Sequence, residues 1–552
     1  MLKLKQFSVH RFVLVLIVVL SAWVAFLPTL QFDYAPQDQW RAFRYTLQDE
    51  GVLSRLKSCA SIVSPFYVKS GRPLVWIGEC LEHGYVAKIS DFKVLRYISI
   101  SILILTILLT GYVISNILGS IELGLTAALL FSFTPSFTFM YFQGLTGAPV
   151  ILSALLGVTS FHLIHQAVGA FVGSRKTDLL RLGYGLLAFV SACMIYPAWA
   201  FIVVPLMLLF LGLEPNVKLS NKLKKFIYTS AIYLFGALAY FGLIKLMILL
   251  NFLGSADHPP IGTYELSMQL NHNVLADRLR QVVDHYISMP MLNLSGFKLS
   301  VITLLLFLLI STRNLIISNN EIIRQSAPKI LIFLLLSIIS FAYLVGTLSP
   351  WFFSHMEGLA ERHVLGWDFF LIVTFFYLLS LVSKLSTVYM NRLKYAVHLV
   401  AVFILIQGVF TQNKLSFAET TVSMVEMSVF RGEIKRWVDL YKAGEKKDIL
   451  VVRPSHDRPD FIQNLLISGY SGMNAAFSTR ANPEHIYQIF TALLRERLEK
   501  ADYAGLTFND CRFDSPCTNA ISNAINVKQV EAVDFKMATT SDFVINLSKL
   551  DF

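Results

Sequence analysis

Two aspartates stand directly after the first hydrophobic run of the chain, in the segment FDYAPQDQWRAF that begins at Phe32. A carboxylate at this membrane rim could act as general base on an acceptor hydroxyl and would meet a reactive headgroup presented from lipid. Asp33 and Asp38 are the candidates for this role, and Trp40 and Arg41 beside them could bind the substrate. Solvated side chains at a helix end explain the same residues at least as well.

Three basic residues could neutralise a phosphate group. Lys245 lies in the apolar stretch LIKLMIL, where a phosphate is its natural partner, although snorkelling to the interface explains it equally well. Arg362 lies in the segment SPWFFSHMEGLAERHVLG and could hold a phosphate through two hydrogen bonds, with His363 beside it as a substrate contact, although charged turns are common. Arg72, in SGRPLVWIGECLEHG, is the third candidate.

Other polar residues near the apolar runs have simpler explanations. Gln143 in the turn YFQGLTGAP could contact a sugar, but an interfacial aromatic belt explains most residues of that turn. His162 and His165 lie on one apolar run and favour packing over ligation. No histidines cluster at ligand spacing beside the cysteines, which disfavours a metal site.

The elements that must position these residues are membrane helices. The chain has 552 residues, of which 55% are hydrophobic and 15% charged, with a mean hydropathy of +0.59. A soluble domain has about 25% charged residues, so these values predict an integral membrane protein. The formal charge of +11 lies mostly in short loops, which argues against nucleic-acid binding. The first run, Phe12–Leu30, predicts an uncleaved helix rather than a signal peptide.

Hydropathy predicts a polytopic α-helical bundle of about eleven transmembrane helices. Positive charge in alternate short loops places the amino end in the cytoplasm and the carboxyl end outside. The predicted spans are Phe12–Leu30, Tyr97–Leu118, Leu123–Phe142, Ala148–Phe171, Leu179–Tyr196, Ala198–Leu213, Phe226–Leu253, Leu294–Ser311, Ile330–Leu348, Val364–Val382 and Tyr395–Val409.

Residues 1–411 therefore form the predicted membrane domain, with outer segments over 31–96, 254–293 and 349–363. Residues 412–552 are predicted to form an outer α/β domain, in which the segments DILVV and DFVINLS are strands. No phosphate-binding loop or nucleophilic triad is evident there, and a lid or docking platform is the favoured role.

The cysteines agree with this topology. Cys59 and Cys80 lie in the first outer segment, and Cys511 and Cys517 lie in the tail. Two local pairs on the oxidising side predict two disulfides, with four free thiols as the alternative. Cys193 falls within the fifth span and is predicted to be inert packing.

Several short motifs resemble those of the polytopic glucosyltransferases that modify O-antigen, and the layout is similar to the GT-C superfamily of membrane glycosyltransferases. The similar segments are QDQWR after the first helix, GRPL some thirty residues later, YPAWAF, the lysine in LIKLMIL, and an arginine in the last outer loop. This family typically has a pair of acidic residues before the aromatic residue and the arginine. Gln37 replaces the first of them here, which leaves Asp38 with or without help from Asp33.

The resemblance implies a polyprenyl-phosphate-linked sugar as donor and a hydroxyl acceptor on a glycan, at the outer face of a bacterial inner membrane. It implies Asp38 as the base, and we expect Lys245, Arg362 and Arg72 to bind the donor phosphate without a required metal. Transfer from lipid to a protein such as pilin is the alternative acceptor class. A flippase for lipid-linked saccharide would predict internal repeats with broken helices, which are not evident. A non-catalytic assembly protein would tolerate loss of every carboxylate in the first outer loop.

Overall fold

The computed structural model describes most of the amino-terminal half of the chain and parts of the remainder. The described residues are 9–31, 52–86, 88–134, 137, 147–173, 178–214, 217–254, 280, 290–291, 294–295, 305–312, 338–339, 365–384, 391–442, 448–453, 492–494, 496–497, 508–512 and 542–546. Within these ranges the protein is predominantly helical.

Helices occupy most of the described sequence. Their bounds are α1 Val9–Gln31, α2 Val52–Lys69, α3 Val75–Tyr85, α4 Phe92–Leu118, α5 Ile121–Ser132, α6 Gly147–Val172, α7 Leu179–Ile195, α8 Pro197–Ala200, α9 Val203–Leu213, α10 Leu219–Leu249, α11 Leu365–Lys384 and α12 Asn391–Lys442. Residues 305–312 are also helical, and 3₁₀ turns cover Ile89–Asp91 and Phe252–Gly254.

Five of the described helical segments are long and apolar enough to cross a membrane. They are Phe12–Gln31, Ile89–Leu118, Gly147–Val172, Ser220–Leu249 and Tyr395–Lys414. Shorter apolar helices cover α5, α7, the α8–α9 pair and α11. A soluble protein does not need several such helices, so the fold is that of an α-helical membrane protein.

Contacts between helix ends show how neighbouring helices run. At one end of the bundle the guanidinium of Arg96 donates a 3.0 Å hydrogen bond to the carbonyl oxygen of Thr29, joining the start of α4 to the end of α1. At the other end the hydroxyl of Ser380 in α11 donates to the carbonyl oxygen of Leu118, the last residue of α4. We call the first end, near the Cys59–Cys80 disulfide, the disulfide end. We call the second end, near Glu214, the Glu214 end.

Three predicted spans differ from the structure within the described residues. The third, Leu123–Phe142, leaves the helix after Ser132, where Phe133 and Thr134 form a turn. The sixth, Ala198–Leu213, is interrupted by a turn at Phe201–Ile202, because Pro205 has no N–H to donate and so lies in the first turn of a new helix. The eighth was predicted to begin at Leu294, but Leu294–Ser295 forms a strand that pairs antiparallel with Pro290–Met291. The short apolar centre of that segment explains the error, and helix is found over 305–312.

The final long helix crosses the predicted domain boundary. α12 has 52 residues, so at 1.5 Å per residue it is about 78 Å long and continues without interruption past residue 411. Beyond its apolar first part it buries Met427, Phe430, Ile434 and Trp437, a spacing that places them on one face. This stripe makes the second part of α12 amphipathic.

Three short strands follow α12. They are β3 Asp448–Arg453, β4 Phe508–Arg512 and β5 Asp542–Asn546, after the hairpin strands β1 Pro290–Met291 and β2 Leu294–Ser295. β3 lies between β4 and β5 and is parallel to both. The strands predicted at DILVV and DFVINLS are therefore present, and β4, which contains Cys511, was not predicted.

Candidate functional site

The described part of the segment that was predicted to be the first outer loop contains two disulfide-linked helices. The Sγ atoms of Cys59 in α2 and Cys80 in α3 are 2.01 Å apart, and both residues are buried. The predicted pairing is thus confirmed, whereas Cys511 lies in β4 and Cys517 lies outside the described residues. Residues 52–86 are called the disulfide unit below. Buried Cys193 is a free thiol, as predicted.

A glycine sets the turn between the two helices of the disulfide unit. Gly71 has φ +75°, a conformation that costs glycine little and commonly ends helices. The N–H of Arg72 then donates a 2.8 Å hydrogen bond back to the carbonyl oxygen of Tyr67. The sequence SGRP therefore closes α2 and fixes the backbone of Arg72 at the tip of the turn.

The same turn is anchored to the helix bundle by three contacts. The hydroxyl of Tyr240 in α10 donates a 2.6 Å hydrogen bond to the carbonyl oxygen of Gly71. The N–H of Leu74 donates to the carbonyl oxygen of Met194 in α7 at 3.1 Å. A Cβ added to Gly78 would lie 2.6 Å from Cγ of Pro149 at the start of α6, so the unit packs closely on that helix.

Arg72 is held between two aromatic rings. Its Cζ lies 5.4 Å from the ring centroid of Tyr67 and 5.6 Å from that of Tyr196, which is in the YPAWAF turn. Its Nε also donates a 3.3 Å hydrogen bond to Oγ of Ser70. Cation–π contacts of this kind orient a guanidinium. Two motifs on which the family resemblance rests are thereby in contact.

A pair of buried carboxyl groups lies behind this arginine on α3. Glu79 accepts a short hydrogen bond from the hydroxyl of Tyr67, the ring that contacts Arg72. Burial raises the pKa of Glu82 well above its usual range, and the charge of Glu79 raises it further. Oε2 of Glu82 is buried without a hydrogen-bond partner in the described part of the protein. Burying the Glu82 carboxyl costs less free energy when it is protonated and neutral than when it is ionised.

Lys245 occupies a different face of the bundle from Arg72. It follows Tyr240 by five residues in α10, so it lies about 7.5 Å farther along the axis and about 140° around it. Its side chain is exposed, beside the exposed apolar side chains of Leu246 and Leu249. The snorkelling explanation and a lipid-facing phosphate contact both fit this position.

Seven other predicted site residues and one cysteine lie outside the described residues. They are Asp33, Asp38, Trp40, Arg41, Gln143, Arg362, His363 and Cys517. Their roles remain predictions. Within the described ranges no three His, Cys, Asp or Glu side chains form a metal-binding group.

Sequence patterns indicated two sets of buried acidic residues only weakly. Glu79 and Glu82 are in the quoted GECLEHG segment, where an i, i+3 acid pair on a buried face could have been found. Asp368, in the first turn of α11, was not singled out, although its side chain is fully buried. An acidic residue within an apolar run is itself a marker of function.

Comparisons with protein families, with curated proteins and with solved structures give no match. The fold and site therefore define a class by physical features alone. It is an α-helical membrane protein that carries a disulfide-linked helical unit on one end of its bundle, with a half-buried arginine held between two aromatic rings.

Proposed function

We propose that the protein is a membrane glycosyltransferase that moves a sugar from a polyprenyl-phosphate donor to a hydroxyl acceptor at the disulfide end of the bundle. The proposal includes about eleven spans, an outward disulfide unit and an outward α/β tail in a bacterial inner membrane. The observation that carries it is the placement of Arg72, clamped by Tyr67 and Tyr196 beside the end of the apolar helices.

The charge and position of Arg72 suit a lipid phosphate. α6, α7 and α10 are apolar helices. The turn that bears Arg72 is fixed on the ends of α6 and α7 through Pro149 and Met194, and on α10 through Tyr240, nine residues before that helix ends. A guanidinium at that height meets the headgroup of a lipid whose chains lie between the helices. A planar guanidinium also binds two phosphate oxygens at once, which an ammonium cannot do with the same geometry.

The proposed reaction is a single displacement at the anomeric carbon. Asp38 removes the proton of the acceptor hydroxyl, and that oxygen forms a bond to the anomeric carbon. The bond between this carbon and the phosphate oxygen breaks, and the polyprenyl phosphate leaves with the electron pair. Arg72 stabilises the negative charge that grows on the phosphate, an electrostatic contribution for which preorganised donors are well suited.

Purified protein in nanodiscs, supplied with polyprenyl-phosphate [¹⁴C]glucose and O-antigen lipopolysaccharide, tests this proposal. We expect label to move to the polysaccharide, with the rate lowered at least tenfold in Arg72→Gln and abolished in Asp38→Asn. Arg72→Lys should recover only part of the rate, because it retains the charge and loses the planar pair of donors. Lys57→Gln removes an exposed charge from α2 of the same unit and should transfer at the wild-type rate.

Two results would contradict the proposal. One is an unchanged transfer rate in Asp38→Asn and Arg72→Gln. The other is movement of intact donor between the leaflets without transfer, which is the activity of a flippase. Label found on a secreted protein instead of the polysaccharide would support the proposed transfer reaction but would show that the acceptor is a protein.

A further inference from the structure

A second polar cluster lies at the Glu214 end, far from Arg72. His165 follows Pro149, which lies beside the disulfide unit, by 16 positions in α6. At 1.5 Å per residue the two residues are about 24 Å apart along the helix axis. Glu214 follows the last residue of α9, and its Oε1 lies 3.0 Å from Nζ of Lys225 and 3.6 Å from Nε2 of His165. These groups line a small open cavity between α6, α9 and α10.

A second lysine in this cavity has no carboxylate of its own among the described residues, because the nearby Glu214 is paired with Lys225 and His165. Lys222 lies one turn before Lys225 and is only 3% exposed. Its ammonium has no hydrogen bond or ion pair with the described residues. Because Glu214 is already paired with Lys225, two ammonium groups share one carboxylate and one positive charge is left over. A buried charge of this kind is costly unless an anion accompanies it.

A hydroxyl group completes the donor set. Thr229 lies seven residues after Lys222, hence on the same face of α10, and is 2% exposed. Its Oγ1 is buried without a hydrogen-bond partner in the described part of the chain. Lys222 and Thr229 both line the cavity, so a bound anion would satisfy the ammonium and the hydroxyl together.

The remaining lining identifies the source of the anion. Apolar residues complete the lining of the cavity: Phe161, Met207, Phe210, Leu211 and Phe226. The apolar span of α10 begins at Ser220, so the charged rim lies at the edge of the membrane-spanning region. A lipid headgroup lies at this edge of the membrane-spanning region, so a lipid phosphate matches the position of Lys222 and Thr229.

We propose that this cavity binds the phosphate group of an anionic phospholipid. One phosphodiester carries a single negative charge, which neutralises the charge of Lys222. Its oxygens accept hydrogen bonds from the ammonium of Lys222 and the hydroxyl of Thr229, and it lies within reach of Lys225. The site is separate from the proposed transfer site and does not depend on it. Its effect is to stabilise the packing of α6, α9 and α10 at the Glu214 end.

Delipidated full-length protein provides the test by native mass spectrometry with titrated phosphatidylglycerol. We expect retained lipid adducts whose affinity falls roughly tenfold or more in Lys222→Gln, as expected for loss of a charge-assisted hydrogen bond. Thr229→Val keeps the side-chain shape, removes the hydroxyl, and should weaken binding to a smaller extent. Lys224→Gln, which removes an exposed charge from the same turn, should bind as the wild type does.

Inorganic phosphate in a parallel titration separates the two sources of the anion. Phosphatidylglycerol should raise the melting temperature of the wild type and of Lys224→Gln but not that of Lys222→Gln. Millimolar inorganic phosphate should not raise the melting temperature of any of the three proteins. Equal lipid affinity in Lys222→Gln, Thr229→Val and the wild type would overturn the proposal. Stabilisation by inorganic phosphate alone, lost in Lys222→Gln, would overturn the lipid assignment.

Discussion

The hydroxyl of Tyr240 donates a 2.6 Å hydrogen bond to the carbonyl oxygen of Gly71, across 169 positions of sequence. The bond joins a membrane helix to the turn that presents Arg72. The N–H of Arg72 belongs to the same peptide unit as this carbonyl and is hydrogen-bonded to Tyr67, so the turn sets the direction of the carbonyl. The position of Arg72 thus depends on α10.

Tyr240→Phe should therefore weaken the attachment of the disulfide unit. The buried carbonyl loses its donor, and we expect a loss of about 1–2 kcal/mol in unfolding free energy. Thermal unfolding followed by intrinsic fluorescence in detergent measures it. Tyr184→Phe, at a tyrosine of α7 that is 63% exposed, is the matched control and should melt with the wild type. Equal melting of both variants would show that the bond contributes nothing.

The Cys59–Cys80 disulfide closes a loop with a sequence separation of 21. Loop-closure entropy for that length corresponds to about 3 kcal/mol of stabilisation. The double variant Cys59→Ser/Cys80→Ser should have a correspondingly lower melting temperature under non-reducing conditions. Reducing agent should lower the melting temperature of the wild type and leave the double variant almost unchanged. A similar decrease in both proteins would assign the redox sensitivity to the tail cysteines.

Glu82 should make stability depend on pH. Burial raises its pKa above the unfolded value of 4.5, so the folded protein binds the proton more tightly than the unfolded chain does. Stability is then highest below the unfolded pKa and falls as pH rises toward the raised folded pKa. We expect the melting temperature to increase as the pH is lowered from 7 to 5.

Glu82→Gln isolates this effect, because the amide has the shape of the neutral acid and no charge to bury. It should be at least as stable as the wild type at pH 7 and should lose most of the pH dependence. Asp178→Asn, which changes a partly exposed carboxylate paired with Arg181, should retain it. A wild-type pH profile in Glu82→Gln would assign the dependence to another group.

Sequence patterns predicted those structural features that depend on residues close together in the sequence. The Cys59–Cys80 pair was found because the two cysteines share one predicted outer segment, and β3 was found because DILVV is a compact apolar run. Hydropathy placed α4, α6 and α11 to within a few residues. It placed the eighth span too early, at Leu294, because apolar content alone does not distinguish a short strand from the start of a weak helix.

The contacts that shape the candidate site were not predictable in this way. Arg72 and Tyr196 are 124 positions apart, and nothing in either motif specifies that they meet. Lys222 is buried only in the packing of α10 with α6 and α9, whereas its loop indicated simply a positively charged membrane edge. Such contacts arise from helix packing, and single-sequence patterns carry information about periodicity but little about which faces meet.

Close packing of α4 on α5 gives a sharp test of the helix arrangement. A Cβ added to Gly111 would lie 2.7 Å from Cδ2 and 2.9 Å from Cα of Leu125, and one added to Gly124 would lie 2.5 Å from the carbonyl oxygen of Gly111. Backbone atoms cannot move aside as a flexible side chain can. Small residues of this kind let membrane helices approach closely.

Gly111→Ala should therefore force the two helices apart and lower stability by about 1–3 kcal/mol, although alanine favours helix more than glycine does. Gly242→Ala is the control, since a Cβ there meets nothing within 4 Å and the helix preference acts alone. Thermal unfolding in the same detergent should rank Gly242→Ala at or above the wild type and Gly111→Ala clearly below it. The reverse order would mean that α4 and α5 do not pack through these glycines.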